Sequence, residues 1–223
     1  MLILYFIISS FLFSGEIEEK ALEHFNNKNY DESLSLALSS NEKDMFLLVA
    51  KIYEIEDTQA FEFYKKYLES TNYEDKELIF YVGNLSAKYF MYETAFNIFC
   101  KDDILFKNVI ATAIMARFIG KYKISKEKYL KILQGNEDNY EIILGLAIAN
   151  QMLSEWDEAI KYFKKSLKLK EEENVYIALA EIYMSLGKIE KAKTFVEKTL
   201  NKFESEYLRE ILVEIYSKLE KED

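Results

Sequence analysis

No proline occurs in this chain of 223 residues, and only six glycines do. The two residues that most often interrupt a helix are nearly missing, which suits almost continuous helix. Cysteine occurs once, at Cys100, so no intrachain disulfide and no metal site built from several cysteines can form. Cys100 ends an apolar helix face and reads as a buried, inert thiol. Histidine also occurs once, at His24. A Ser/His/Asp or Cys/His site would have to use it, and neither a nucleophile elbow nor a glycine-rich loop accompanies it. Positive charge is scarce relative to negative: 29 Lys and Arg stand against 39 Asp and Glu, a net charge of −10, and only Arg117 and Arg209 are arginines. A phosphate backbone needs a basic footprint, so nucleic acid is not an expected partner. Any long-range steering would favour basic partners. Acidic runs such as Glu171-Glu172-Glu173 read as solvated helix faces, and no DxDxDG loop or HExxH accompanies them. The expectation is a protein without catalysis, cofactor, metal or small-molecule substrate.

What the chain has is apolar periodicity. Half of its residues are hydrophobic, with 17 Tyr and 16 Phe. The stretch Tyr140 to Lys170 reads as two helices joined by a tight turn. Ile143, Leu146, Ala147, Asn150 and Leu153 fall on one face of the first. Trp156, Ala159, Ile160, Phe163 and Leu167 fall on one face of the second. Ser154, in the break, is expected to cap the second helix. Ala147, Trp156, Ala159, Phe163 and Leu167 recur 33 residues later as Ala180, Ile189, Ala192, Val196 and Leu200. They recur 34 residues earlier as Ala113, Tyr122, Ser125, Tyr129 and Leu133. A two-helix unit this short cannot bury its apolar face alone, so the copies must stack.

This unit resembles the tetratricopeptide repeat, a helix–turn–helix with the pattern W-x2-L-G-x2-Y…A-x3-F…P. The matching residues are Leu146-Ala147, Ala159-x3-Phe163, Leu179-Ala180-x2-Tyr183, Gly187 and Ala192-x3-Val196. The chain departs from the pattern in having no proline and in using Ala more often than Gly at the small position of the first helix. The resemblance implies an all-α, right-handed α-solenoid over 16–223, about six repeats closed by a C-terminal capping helix. It also implies a groove lined by first helices that binds a segment of a partner protein. Carried over residue by residue, the groove candidates are Leu47, Lys51, Phe80 and Asn84 in the earlier repeats. In the later ones they are Ile114, Arg117, Phe118, Leu144, Ile148, Gln151, Met152, Ile177, Glu181 and Met184. Ile114, Phe118, Leu144, Ile148, Met152 and Met184 make a largely apolar band containing Arg117 and Gln151. Such a band with adaptable Met either meets a partner or is closed by superhelical curvature. Lys161, Lys164, Lys165, Lys168 and Lys170 form a basic face that could dock an anionic surface or simply coat an outer helix.

Residues 1–13, MLILYFIISSFLF, carry no charged side chain. With Ser14-Gly15 behind them, residues 1–15 look like a signal peptide, though no Lys or Arg precedes the apolar run. A helix of 13 residues spans about 20 Å, short of the roughly 30 Å hydrocarbon core. The expectation is export to a bacterial periplasm or membrane association through residues 1–13. The alternative role is a membrane-anchored structural component of an envelope assembly complex. Repeats then run from Glu16. The four positions Gly83, Tyr92, Ala95 and Phe99 lie only 30 before Ala113, Tyr122, Ser125 and Tyr129, so about three residues are missing near Lys101-Asp102-Asp103. At the other end, Val213 and Tyr216 lie 33 beyond Ala180 and Tyr183, marking a seventh first helix without a partner.

Overall fold

A computed structural model describes residues 15–55 and 60–220. The apolar segment 1–13, with its proposed processing site, lies largely outside these residues, as do residues 56–59. The described residues form thirteen α-helices and no strand. They divide into two compact units, one ending at Asn108 and one beginning at Val109.

In the first unit the helices pair as α1 (Glu16–Asn26) with α2 (Tyr30–Ser39), α3 (Lys43–Ile55) with α4 (Ala60–Ser70), and α5 (Lys76–Lys88) with α6 (Tyr92–Phe99). Helix α7 (Phe106–Phe118) begins in the last residues of this unit and continues into the second. There it is followed by α8 (Tyr122–Leu133), by the pair α9 (Tyr140–Met152) and α10 (Trp156–Leu169), by the pair α11 (Glu173–Ser185) and α12 (Ile189–Leu200), and by the single helix α13 (Glu206–Leu219).

The register read from the sequence holds in the core. Ala113, Ala147 and Ala180 are fully buried, as are Ser125, Ala159 and Ala192, and the knobs Tyr129, Phe163 and Val196 are closed off beside them. In the first unit Ser33 occupies the same small position, and its Oγ donates to the Ala21 carbonyl at 2.8 Å. Small residues let two helices approach, and the bulky ring fills the space between repeats.

Without proline, the helices are ended by backbone geometry and begun by side-chain caps. Lys28, Phe90, Gly120, Ser154 and Gly187 all take positive φ, between 59° and 75°, in the turn inside a repeat. After each, the next N–H reaches back five residues, as from Glu155 to the Asn150 carbonyl (2.9 Å) and Lys188 to that of Tyr183 (2.9 Å). This left-handed stop satisfies carbonyls that the helix end would otherwise orphan. Ser154 therefore ends α9 and does not cap α10, whose N-cap position is Glu155 without a side-chain bond. Between repeats, Asp75, Asn139 and Ser205 accept from the N–H groups of Leu78, Ile142 and Leu208, fixing the starts of α5, α9 and α13.

The missing residues near Asp102 are one turn of α6, which has 8 residues where α8 has 12 and α10 has 14. The buried Asp102 carboxylate takes over the ordering role. It accepts from the N–H groups of Ile104 (3.2 Å) and Leu105 (3.1 Å) and from Asn108 Nδ2 (2.8 Å), and it pairs with Lys76 Nζ at 3.3 Å. Burial pushes its pKa upward. The hydrogen bonds from Asn108, Leu105 and Ile104, together with Lys76, outweigh that and hold it below the usual carboxylate range.

Candidate functional site

The first-unit candidates do not make an open site. Leu47 is 2% exposed and belongs to a core cluster. Lys51 is buried as well, and burial lowers its pKa to about 8 against a weaker opposing pull from Glu54. Phe80 is tilted against Phe99 with Lys107 Nζ 4.5 Å from its ring centroid. Asn84 is exposed, but its Nδ2 donates to the Phe80 carbonyl of its own helix at 2.8 Å.

In the second unit the first helices behave differently. On α9, Ile142, Ile143, Leu146 and Ala147 have no exposed surface, and they define the core side. Leu144 and Ile148, on the other side, pack their inner portions against the cluster around Phe163 and keep part of their surface open. Ile114 does the same from α7, and Ile177 and Met184 from α11. Phe118 and Met152, at the C-terminal ends of α7 and α9, are 57% and 48% exposed. Arg117 and Gln151 beside them are half-buried, with the Arg117 guanidinium 5.8 Å from the Phe118 ring centroid. These side chains are thus partly open to solvent and not sealed.

One end of this face deepens into a cleft of about 550 Å³. Gln151 and Met152 of α9, Trp156 of α10, and Glu181, Met184 and Ser185 of α11 form one side. Tyr207, Ile211, Glu214 and Lys218 of α13 form the other. Gln151, Met152, Glu181 and Met184 are therefore brought together here, whereas Ile114, Arg117, Phe118, Leu144, Ile148 and Ile177 lie elsewhere on the same set of helices. The Tyr207 hydroxyl donates to Glu181 Oε1 at 3.1 Å, and Lys218 Nζ pairs with Glu214 at 2.8 Å. The hydrogen bond to Glu181, then the charges of Glu210 and Glu214, raise the Tyr207 pKa. The contribution of α13 was missed in the sequence because that helix was read only as a cap. The repeat offset of 33 does carry Ile148 to Glu181 and Glu181 to Glu214, and Met152 to Ser185 and Ser185 to Lys218.

The lysine face of α10 is largely engaged. Lys161 pairs with Glu158 at 2.9 Å, Lys165 donates to the Glu137 carbonyl, and Lys170 pairs with Glu172 and lies 5.4 Å from the Tyr140 ring centroid. Among the described residues no group of His, Cys, Asp and Glu is placed to hold a metal ion, and no helix is long and apolar enough to cross a membrane. His24 is half-buried in the last turn of α1, and Cys100 is half-buried at the end of α6.

The tetratricopeptide repeat family model matches residues 173–201, which contain α11 and α12. No curated protein matches the chain in sequence. Among solved structures, the chain is similar to PilW, described as a widely conserved type IV pilus biogenesis factor. The TM-score is 0.56 at 17% identity, covering 88% of this chain and 96% of PilW. It is also similar to YrrB, described as a tetratricopeptide-repeat protein with an unusual peptide-binding site. There the TM-score is 0.61 at 18% identity, with 78% and 94% covered. A tetratricopeptide repeat protein from Parabacteroides merdae gives a TM-score of 0.53 at 17% identity, with 92% and 91% covered. At these identities the likeness is one of fold: an all-α, right-handed solenoid of helix–turn–helix repeats.

Proposed function

Since this chain is a tetratricopeptide-repeat protein, we propose that it is a non-catalytic scaffold that binds a segment of a partner protein along the first helices of its second unit. The observation that carries this is the contrast on α9. Ile142, Ile143, Leu146 and Ala147 are sealed, while Leu144, Ile148 and Met152 on the opposite side keep apolar surface in water. Open apolar surface next to a cleft suits a partner chain. A rigid helical face also keeps the ordering cost of binding low. The binding band is Ile114, Arg117, Phe118, Leu144, Ile148, Gln151, Met152, Ile177, Glu181 and Met184. That YrrB is described as having a peptide-binding site supports the same reading.

A photo-crosslinking amino acid at position 152 tests it, with position 130 on α8 as the control; Leu130 is 42% exposed but lies on a second helix. In the native cells the expected result is one dominant protein adduct from position 152 and none from position 130. Equal labelling from both positions refutes a groove-directed scaffold.

The uncharged segment 1–13 favours a second reading on location, export or membrane attachment, with a role in an envelope assembly complex. The description of PilW as a pilus biogenesis factor is in keeping with it. Intact-mass analysis of the native protein decides this. A mature terminus near Gly15 in a soluble envelope fraction fits export, a retained Met1 in membranes fits an anchor, and a retained Met1 in a soluble cytoplasmic fraction excludes both.

A further inference from the structure

The α9–α11–α13 cleft is lined by both apolar and acidic side chains, and its charges are not balanced. Glu181 and Glu214 line it against one cation, Lys218, which is already paired with Glu214. Glu210, one turn before Glu214, adds a third carboxylate near enough to act on Tyr207. Among the described residues Glu181 bonds the neutral Tyr207 hydroxyl and pairs with no cation. Met152, Met184 and Trp156 supply polarizable, adaptable surface and an indole face. Carboxylates beside an indole are the surroundings that a guanidinium or ammonium group meets most favourably, through charge-assisted hydrogen bonds and cation–π contact.

We infer that this cleft selects a peptide segment carrying an arginine or lysine flanked by apolar residues, with Glu181 and Glu214 as the specificity-determining residues. The inference rests on the proposed scaffold role and names the partner chemistry for that site. The chain's net charge of −10 acts in the same direction at long range, drawing basic segments toward it.

Selection of random twelve-residue peptides displayed on phage, against the full chain and in parallel against E181Q/E214Q, tests it. Both substitutions keep side-chain shape, both residues are at least partly exposed, and glutamine can still accept from Tyr207. Unchanged far-UV circular dichroism confirms the fold of the variant. Trp156 is the only tryptophan in the chain and lines the cleft, so its emission reports occupancy directly.

The expected result is enrichment of Lys or Arg beside apolar residues on the unmodified chain. The best synthetic peptide shifts Trp156 emission, and E181Q/E214Q weakens it roughly tenfold, as does replacing its basic residue by methionine. Enrichment of apolar peptides without a basic residue, binding unchanged by E181Q/E214Q, or a preference for acidic peptides overturns the inference while leaving the scaffold reading intact. Selection of peptides that leave Trp156 emission unchanged places binding elsewhere and also overturns it. No enrichment at all overturns the inference, and the scaffold reading is then judged by the crosslinking result alone.

Discussion

Gly145 of α9 is packed so tightly against Tyr129 of α8 that a Cβ added to the glycine would lie 2.3 Å from the ring's Cζ. Gly83 meets Phe99 as closely, at 2.4 Å from Cε1, but from the first helix of the same repeat and not from the helix that follows. Tyr129 and Phe99 are the same repeat position, 30 residues apart, and both rings are closed off from solvent. A large ring at this position requires a small residue on the helix it meets. Gly145→Ala and Gly83→Ala are therefore expected to destabilise the chain by about 1–3 kcal/mol each, the usual cost of overpacking. Gly145→Ala combined with Tyr129→Leu should recover part of that loss. Urea midpoints of the single and double variants check the coupling.

The opposite sign is expected at Ser154. Its φ of 59° lies in the left-handed region where Gly120 and Gly187 stand in neighbouring repeats. A side chain there costs about 1–2 kcal/mol. Ser154→Gly should raise stability by roughly 0.5–1 kcal/mol, and Phe90→Gly, at φ 60° with its ring 77% exposed, should do at least as well. A lower melting temperature in either variant would contradict the shared turn geometry.

How much of this was legible follows from what repeats and what does not. The small and bulky positions recur at a constant offset, so Ala113, Ala147 and Ala180 could be placed in the core from the sequence. The left-handed turn residue is Lys28, Phe90, Gly120, Ser154 or Gly187, four residue types at five positions sharing only a backbone angle. Composition carries little trace of that. Asp102 was seen only as the place where residues are missing, because its role depends on Lys76 and Asn108 arriving through the fold. Which residues of α9 turn away from the core was legible from register, but not whether they stay partly open. The cleft was not, because it needs α13, whose charged surface looks like a solvated cap.

Asp102 should make the first unit sensitive to acid. Its folded pKa is lowered, so the stability it contributes is present above the unfolded value of about 4 and is lost as pH falls through the lower folded value. Asp102→Asn keeps the shape but gives up the pairing with Lys76 and half of the acceptor capacity in a buried position. A loss of about 2 kcal/mol at pH 7 is expected, with the variant converging on the unmodified chain at the acid end. A constant difference between the two from pH 7 down to pH 2 would show that the charge is not what matters.

Lys51 predicts a rise of stability with pH as well, in a higher window. Its pKa is lowered to about 8 by burial, whereas the unfolded chain keeps a lysine near 10.4. Between these values the unfolded state binds more protons, so stability should rise with pH through this window, and the cost of the charge is full below about pH 8. Lys51→Met should abolish that rise. The comparison belongs below pH 10, because burial and Asp44 push Tyr67 only to about 12 and tyrosine ionisation intrudes above that range. Denaturant titrations at pH 7, 8, 9 and 9.5 read the slope, and an identical slope in the methionine variant would refute the assignment.

Helix α13 also tests the repeat logic. Val213 stands 33 residues after Ala180, yet it is 69% exposed where Ala180 is fully buried. Tyr216, the counterpart of the 2% exposed Tyr183, is 42% exposed. Leu208, Ile211 and Ile215, which face the preceding repeat, remain buried. The exposed positions are those whose counterparts Ala180 and Tyr183 are buried in the preceding repeat. Val213→Lys should thus change stability by less than about 0.5 kcal/mol, as for a surface position. Ala180→Lys should unfold the end of the second unit, because it forces a charge into the space between α11 and α12. The same reasoning separates two positions of the proposed groove. Ile148 packs part of its side chain into the cluster around Phe163, whereas Met152 is nearly half exposed. Ile148→Asp is expected to lower stability by about 1–3 kcal/mol as well as binding, so it does not isolate the groove from the fold. Met152→Asp should leave the thermal midpoint within a degree or two while cutting peptide binding, read by Trp156 emission. An Asp at 152 that unfolds the chain as readily as one at 148 would mean that the face is core, closed to any partner.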